Sequence, residues 1–250
     1  MERATMTQSQ AAPSAIGSPP GTFRLALDAL RAAKASSVLD CPAGEGPFAR
    51  MLLDAGFETS CCDIDPDQFK VPKLVCTHGD LNGTLPYDDE QFDAVTCLNG
   101  LQRVWARGHA LREFSRILKV GGTLVVSYPN QGDMRRRMLN LISGSVTWNV
   151  IGPPHVCTPD AAAPASTFRY AMTTANVLSG FESVGLETQW VRSTHYSVGA
   201  LAMAPIALIP KFAAWFASAR LKQSYYLRES ATNDALFGAF LVAVAKKPVS

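Results

Sequence analysis

Short apolar runs that end in a polar or acidic residue alternate along this chain with longer stretches whose apolar positions recur at helical spacing. Residues 22–35 form the first helical stretch, with Phe23, Leu25, Leu27 and Leu30 among its apolar positions. Val38-Leu39-Asp40 follows as a short apolar run closed by an acid, the pattern of a buried parallel strand. Over residues 47–55, Phe48, Met51 and Leu52 share a helical face, and Gly56 stops the helix. A second strand ends at Asp63, Asp65-Pro66-Asp67 opens a short helix or turn, and residues 74–76 form a third strand before His78-Gly79-Asp80-Leu81.

The alternation continues. Residues 91–97 read as a fourth strand, and residues 109–118 as a helix with Leu111, Phe114 and Ile117 on one face. Gly121-Gly122 predict a tight turn into a fifth strand at residues 123–127. Thr173 is placed to cap a helix over residues 174–185, followed by a sixth strand at 186–191 and a last, continuously apolar one at 236–245. Strands alternating with helices predict an α/β fold with a doubly wound, mostly parallel sheet.

Composition narrows the class without changing that picture. The chain has 250 residues, 47% hydrophobic and 18% charged, enough to bury one full core. A net charge of +2 and a pI near 8.2 give no footprint for nucleic acid. The six cysteines (41, 61, 62, 76, 97 and 157) lack metal-ligand spacing, so reduced thiols in a cytoplasmic protein are expected and no metal is. Residues 1–20 carry no apolar segment of the kind that targets secretion and are expected to be a disordered tail ahead of one domain over 21–250.

The candidate chemistry lies in residues 38–65. Gly44 and Gly46 lack Cβ, so the loop after the first strand can turn sharply and let a ligand approach its backbone. Asp63 lies 19 residues beyond Gly44, close to the spacing of a carboxylate that holds ribose hydroxyls. Asp40 beside the loop would repel a diphosphate and welcome an ammonium group. That argues against a nicotinamide-dependent oxidoreductase, as does the lack of a third motif glycine after Gly46.

Asp40, Pro42, Gly44 and Gly46 resemble the acid-x-G-x-G-x-G motif of class I S-adenosylmethionine-dependent methyltransferases, with Pro42 where the first glycine stands. The resemblance extends through Leu85-Pro86-Tyr87, Phe92-Asp93 and Arg116-x-Leu118-Lys119-Val120-Gly121-Gly122, covering about residues 38–130. Past residue 130, a run through Arg135, Arg136 and Arg137 is similar to MetW-like proteins. The resemblance implies a Rossmann-like methyltransferase fold with seven strands, one of them antiparallel near the C-terminus. It implies S-adenosyl-L-methionine as cofactor, with Asp40, Ala43, Gly44 and Gly46 at its methionine portion, Asp63 and Ile64 at the ribose, Asp80 and Leu81 at the adenine, and Asn99 near the methyl. Gln102-Arg103 stand where the family often has Glu-His.

Two segments, about residues 131–172 and 197–232, are expected to form a small helical cap. Within the first, Arg135 to Arg137 read as a solvated helix face, with an anionic acceptor or phosphate group held by one of them as the alternative, and loop residue His155 is the candidate general base. Asn99, ahead of both segments, is a second catalytic candidate. In the second, residues 198–210 are uncharged, but Pro205 and Pro210 and the short length exclude a membrane span. Lys211, Arg220 and Lys222 beside Trp215 and Phe216 would suit a peripheral membrane contact through 198–220, against the alternatives of a cap over the cleft or a dimer contact. The sequence therefore predicts methyl transfer to a small-molecule, lipid-linked or saccharide-linked acceptor by a monomer or homodimer. The alternative is a methyltransferase-fold binding protein that is catalytically silent.

Overall fold

The computed structural model describes residues 18–143 and 170–249, and their strands form one seven-stranded sheet. The strands are β1 (Ser37–Asp40), β2 (Glu58–Asp63), β3 (Cys76–His78), β4 (Phe92–Leu98), β5 (Leu118–Pro129), β6 (Glu187–Tyr196) and β7 (Gly238–Lys246). Their spatial order is β3-β2-β1-β4-β5-β7-β6. Neighbours from β3 to β5 pair in parallel, while β7 runs antiparallel to both β5 and β6.

Side chains along a strand alternate faces, and here the alternation sorts them between two cores. Leu39, Val95, Leu124, Val126, Leu241 and Ala243 pack on one face, beneath α3 (Arg107–Ile117) and α5 (Thr174–Ser183). Val38, Ala94, Val125, Val242 and Val244 pack on the other, beneath α1 (Thr22–Ala32) and α2 (Pro47–Asp54). The central strands are apolar at successive positions because both faces are covered. Leu111, Phe114 and Ile117 are the buried stripe that helical spacing predicts for α3.

Arg116, at the end of that helix, donates to the carbonyls of Leu85 and Tyr87 and pairs with Glu113 and Asp89. Its guanidinium holds the Glu113 carboxyl below the usual carboxylate range and ties the loop before β4 to the helix.

Several boundaries shift from the predicted ones. β3 starts two residues later than its apolar pattern suggests, because Asp63 and Cys62 on β2 pair with His78 and Thr77. Gly121-Gly122 lie inside β5, where the register to β4 jumps between Leu118 and Thr123 and where Gly121 and Gly122 exchange backbone hydrogen bonds with Lys247. β6 runs on to Tyr196, since β7 offers it a full ladder. Thr173 caps α5 as expected, accepting from the Asn176 backbone N–H at 3.2 Å.

The remaining helices gather at one edge. β1, β2, β4, β5 and β6 all end at the edge where the antiparallel β7 begins, with Pro129 opposite Phe240 and Tyr196 opposite Gly238. From that edge leave α4 (Met134–Ser143) and the run α6 (Val198–Leu201), α7 (Leu208–Phe216), α8 (Ala219–Ser224), α9 (Leu227–Ser230) and α10 (Asn233–Phe237). A small core of Met134, Ala200, Ala207, Leu236 and Phe237 joins α4 to this run. Pro210 sits in the first turn of α7, where an N–H would have had no helical partner anyway.

The arginine run is only in part a solvated face. Arg136 pairs with Asp133 at 3.0 Å and donates to the Gln131 side chain, while Arg137 donates to the carbonyls of Gly132 and Ser230. Burial pushes the Arg137 pKa down, and Arg135 packs on Gly199. The hydrogen-bond needs of the cap thus hold Arg136 and Arg137, a demand that charge spacing does not reveal, while Arg135 remains exposed as predicted.

Candidate functional site

β1 delivers Asp40 to the ligand edge, and the chain then turns through a cis Cys41–Pro42 peptide. Ala43 N–H donates to the Cys62 carbonyl at 2.9 Å, and Gly46 N–H donates to the Ala43 carbonyl at 3.0 Å, closing a tight loop on β2. Gly44 and Gly46 both take positive φ, +56° and +86°, which fits residues without a Cβ. At Gly46 the restriction is doubled, since a Cβ there would lie 2.5 Å from Val71 and 2.6 Å from Phe69. At Gly44 the same construction meets nothing within 4 Å, so open space lies beside the loop backbone.

Asp63, at the end of β2, is bonded to that loop. Its Oδ2 accepts from Gly44 N–H at 2.8 Å, and its Oδ1 accepts from Asp65 N–H and from Gln68 Nε2, each at 3.0 Å. Ile64 beside it is half exposed. Gly79 N–H donates to the Asp63 carbonyl, which brings Asp80 and the buried Leu81 next to the same strand end. Asp80 Oδ1 accepts from the backbone and side-chain nitrogens of Asn82, both at 2.8 Å, and Asn82 in turn accepts from Trp105 and Ala106.

Asp40 is only 2% exposed, and its one side-chain hydroxyl partner is Thr96, which donates at 2.9 Å. Burial pushes the carboxyl up to about 7; the Thr96 hydrogen bond opposes that rise and the nearby Asp63 charge adds to it. A buried acid so poised gains most from a cationic neighbour.

Asn99 follows β4 in the left-handed region, at φ +56°. Its N–H donates to Ser127, and the fully buried Gln102 donates from Nε2 to both the Asn99 carbonyl and Asn99 Oδ1. Asparagine tolerates this conformation better than most residues. Gly100 follows, against the ring of Pro42. Tyr170 N–H donates to the Gln102 carbonyl and Gln131 N–H to the Met172 carbonyl, so residues 170–172 cross the ends of β4 and β5. Beneath them, Gln102 Oε1 and Gln131 Nε2 are buried with no hydrogen-bond partner among the described residues.

The structure thus brings Asp40, Ala43, Gly44, Gly46, Asp63, Ile64, Asp80, Leu81 and Asn99 to one edge. His155 lies outside the described residues, and so does Cys157; Cys41, Cys61, Cys62, Cys76 and Cys97 are free thiols. Thr96 and Gln68 were not legible as site residues, since only the pairing of β1 with β4 and the turn after β2 place them there. Gln102 was legible by its place beside Arg103, but its hold on Asn99 was not. The residues fit S-adenosylmethionine on the structure's own terms: a buried acid for its ammonium group, open space at Gly44, and polar atoms at the ends of β4 and β5 without a partner among the described residues.

Comparison with known proteins bears on the family and the fold. Residues 39–126 match the family model described as "Methyltransferase domain". The demethylmenaquinone methyltransferase of Renibacterium salmoninarum is 38% identical over 120 residues, covering 45% of this chain and 50% of that protein. The chain therefore spans about half the length of the curated relatives it matches. Among solved structures, an S-adenosylmethionine-dependent methyltransferase from Archaeoglobus fulgidus aligns with a TM-score of 0.54 at 16% identity, over 90% of this chain and 94% of that one. The [4+2]-cyclase SpnF aligns with a TM-score of 0.56 at 19% identity, over 91% and 82%. These two likenesses establish the fold.

Proposed function

We propose that this chain, which carries a class I S-adenosylmethionine-dependent methyltransferase domain, transfers the donor's methyl group to a small, lipid-soluble acceptor. Asp40 carries the reading: a buried carboxyl with a pKa near 7 beside an open glycine loop favours a cationic amino-acid moiety over a diphosphate. S-adenosylmethionine, when bound, supplies a methyl group already activated by its sulfonium.

The chain's own residues have the tasks of binding and alignment. Asp40 supplies the countercharge for the ammonium, and the Ala43 to Gly46 backbone lies alongside it. Asp63 and Ile64 serve the ribose, Oδ2 accepting only from Gly44 N–H among the described residues. Asp80 keeps Oδ2 for the base, with Leu81 as its apolar neighbour. Asn99, fixed by Gln102, borders the transfer position. Displacement at an activated carbon depends chiefly on such alignment, so the reading does not require an acid or imidazole at Gln102-Arg103.

For the acceptor, the sequence likeness to the curated relatives supports an apolar ring compound of the kind that their names specify, demethylmenaquinone. The test is turnover of S-adenosylmethionine with a short-chain demethylmenaquinone, read as methylated product by mass spectrometry and compared with an Asp40→Ala variant. Product from the native chain alone supports the reading; S-adenosylhomocysteine binding without product from quinone, phenol or saccharide acceptors favours the silent binding protein. Gln102-Arg103, standing where the family often has Glu-His, keep that second reading in view.

A further inference from the structure

The outer face of α7 is apolar and uncovered. Leu208, Ile209, Phe212, Trp215 and Phe216 fall on one side at helical spacing, and each is between 61 and 74% exposed. Ala214 is the helix's buried residue. The aromatic rings form a preassembled group, with centroids 4.3 Å apart for Phe212 and Phe216 and 4.9 Å for Trp215 and Phe216. A contiguous patch of this kind on a water-facing surface marks a contact with something apolar.

Charge identifies the occupant. Residues 197–228 contain Lys211, Arg220, Lys222 and Arg228 and no acidic residue, although the chain as a whole is nearly balanced at +2. Lys211 reaches Asn233, and the Lys222 ammonium donates to the Trp215 carbonyl at 2.9 Å, so basic groups border the apolar face. Arg220 and Arg228 are exposed. A second copy of the chain, paired about a two-fold axis, would bring these cations face to face. An anionic lipid surface takes both the apolar side chains and the cations bordering them. Among the described residues no helix is long and apolar enough to cross a membrane, so the contact would lie along the surface.

We propose that α7 is a membrane-docking helix that inserts Phe212, Trp215 and Phe216 among anionic lipids. The surface is independent of the methyl-transfer reading, because it is read by membrane binding and not by turnover.

The test is flotation of the full chain with vesicles of phosphatidylcholine alone, or with about one third phosphatidylglycerol, before and after Phe212→Glu/Trp215→Glu. The native chain is expected to float with the anionic vesicles, and the double variant to lose about tenfold in partition. A second variant, Lys211→Gln/Arg220→Gln/Lys222→Gln, is expected to lose affinity for anionic vesicles only. Unchanged S-adenosylhomocysteine binding and thermal unfolding serve as fold controls. No flotation of the native chain, equal flotation of the double variant, or a vesicle-free dimer that the double variant dissolves would overturn the proposal.

Discussion

The ring of Pro42 fills the space that any side chain at position 100 would need: a Cβ added to Gly100 would overlap Pro42 Cδ and lie 2.6 Å from Cγ. The proline that replaces the first motif glycine is therefore matched by a glycine on the neighbouring strand end. Gly100→Ala is expected to cost about 1–3 kcal/mol of stability by overpacking. Pro42→Gly should recover most of that loss in the double variant. Denaturant unfolding of the four proteins gives the coupling energy, and additive effects would refute the packing relationship.

Asp40 makes donor binding depend on pH. Its pKa near 7 means that a cationic ligand must displace a proton below that point, so affinity should fall about tenfold per pH unit below 7 and level off above it. Calorimetry with S-adenosylhomocysteine from pH 5 to 8 reads the slope, and Asp40→Asn should flatten it. The ligand-free protein responds in the opposite sense. A carboxyl raised in the folded state contributes stability that is fully present below its unfolded pKa and is lost as pH rises through about 7. Thermal unfolding at pH 8 should accordingly rank Asp40→Asn above the native chain.

Asp63 and Gln68 should separate when each is removed. Asp63→Ala takes the acceptor from Gly44 N–H as well as from the ligand, and is expected to weaken S-adenosylhomocysteine binding by about a hundredfold and stability by about 1–3 kcal/mol. Gln68→Ala instead leaves Oδ1 with Asp65 N–H alone and opens a second acceptor position for a ribose hydroxyl, and binding should tighten a few-fold or hold. Titration of both variants distinguishes a ligand-holding carboxylate from a purely structural one.

Asn99 bears a left-handed backbone that Gln102 fastens. Asn99→Gly should be neutral or slightly stabilising, whereas Asn99→Val should cost about 1–3 kcal/mol because a β-branched residue resists that conformation. Gln102→Ala should destabilise the native background more than the Asn99→Gly background. Equal losses in chemical denaturation would separate the two residues.

The order of elements was legible because period-2 and helical spacings record which faces meet the core, as Leu39 and Val38 do by facing opposite layers. Asp40, Gly44, Gly46 and Asp63 were legible because turn geometry and charge restrict what those positions can be. Long-range partners were not: the hold of Thr96 on Asp40 spans 56 residues and that of Arg137 on Ser230 spans 93, and no local pattern encodes either. The continuous strand through Gly121-Gly122 was hidden for a similar reason, since its ladder comes from Lys247 at the far end of the chain.

Tyr196 and Gly238 face each other across two adjacent strands, and Ser197 N–H donates to the Phe237 carbonyl at 2.8 Å. Everything between them leaves and rejoins the sheet at a single doorway, so the excursion behaves as a cassette. Its closure entropy grows by only about 0.6 kcal/mol for each doubling in length. Lineages could lengthen, shorten or exchange the segment while the sheet and its glycine loop stayed in register, revising what the protein touches without rebuilding what it binds.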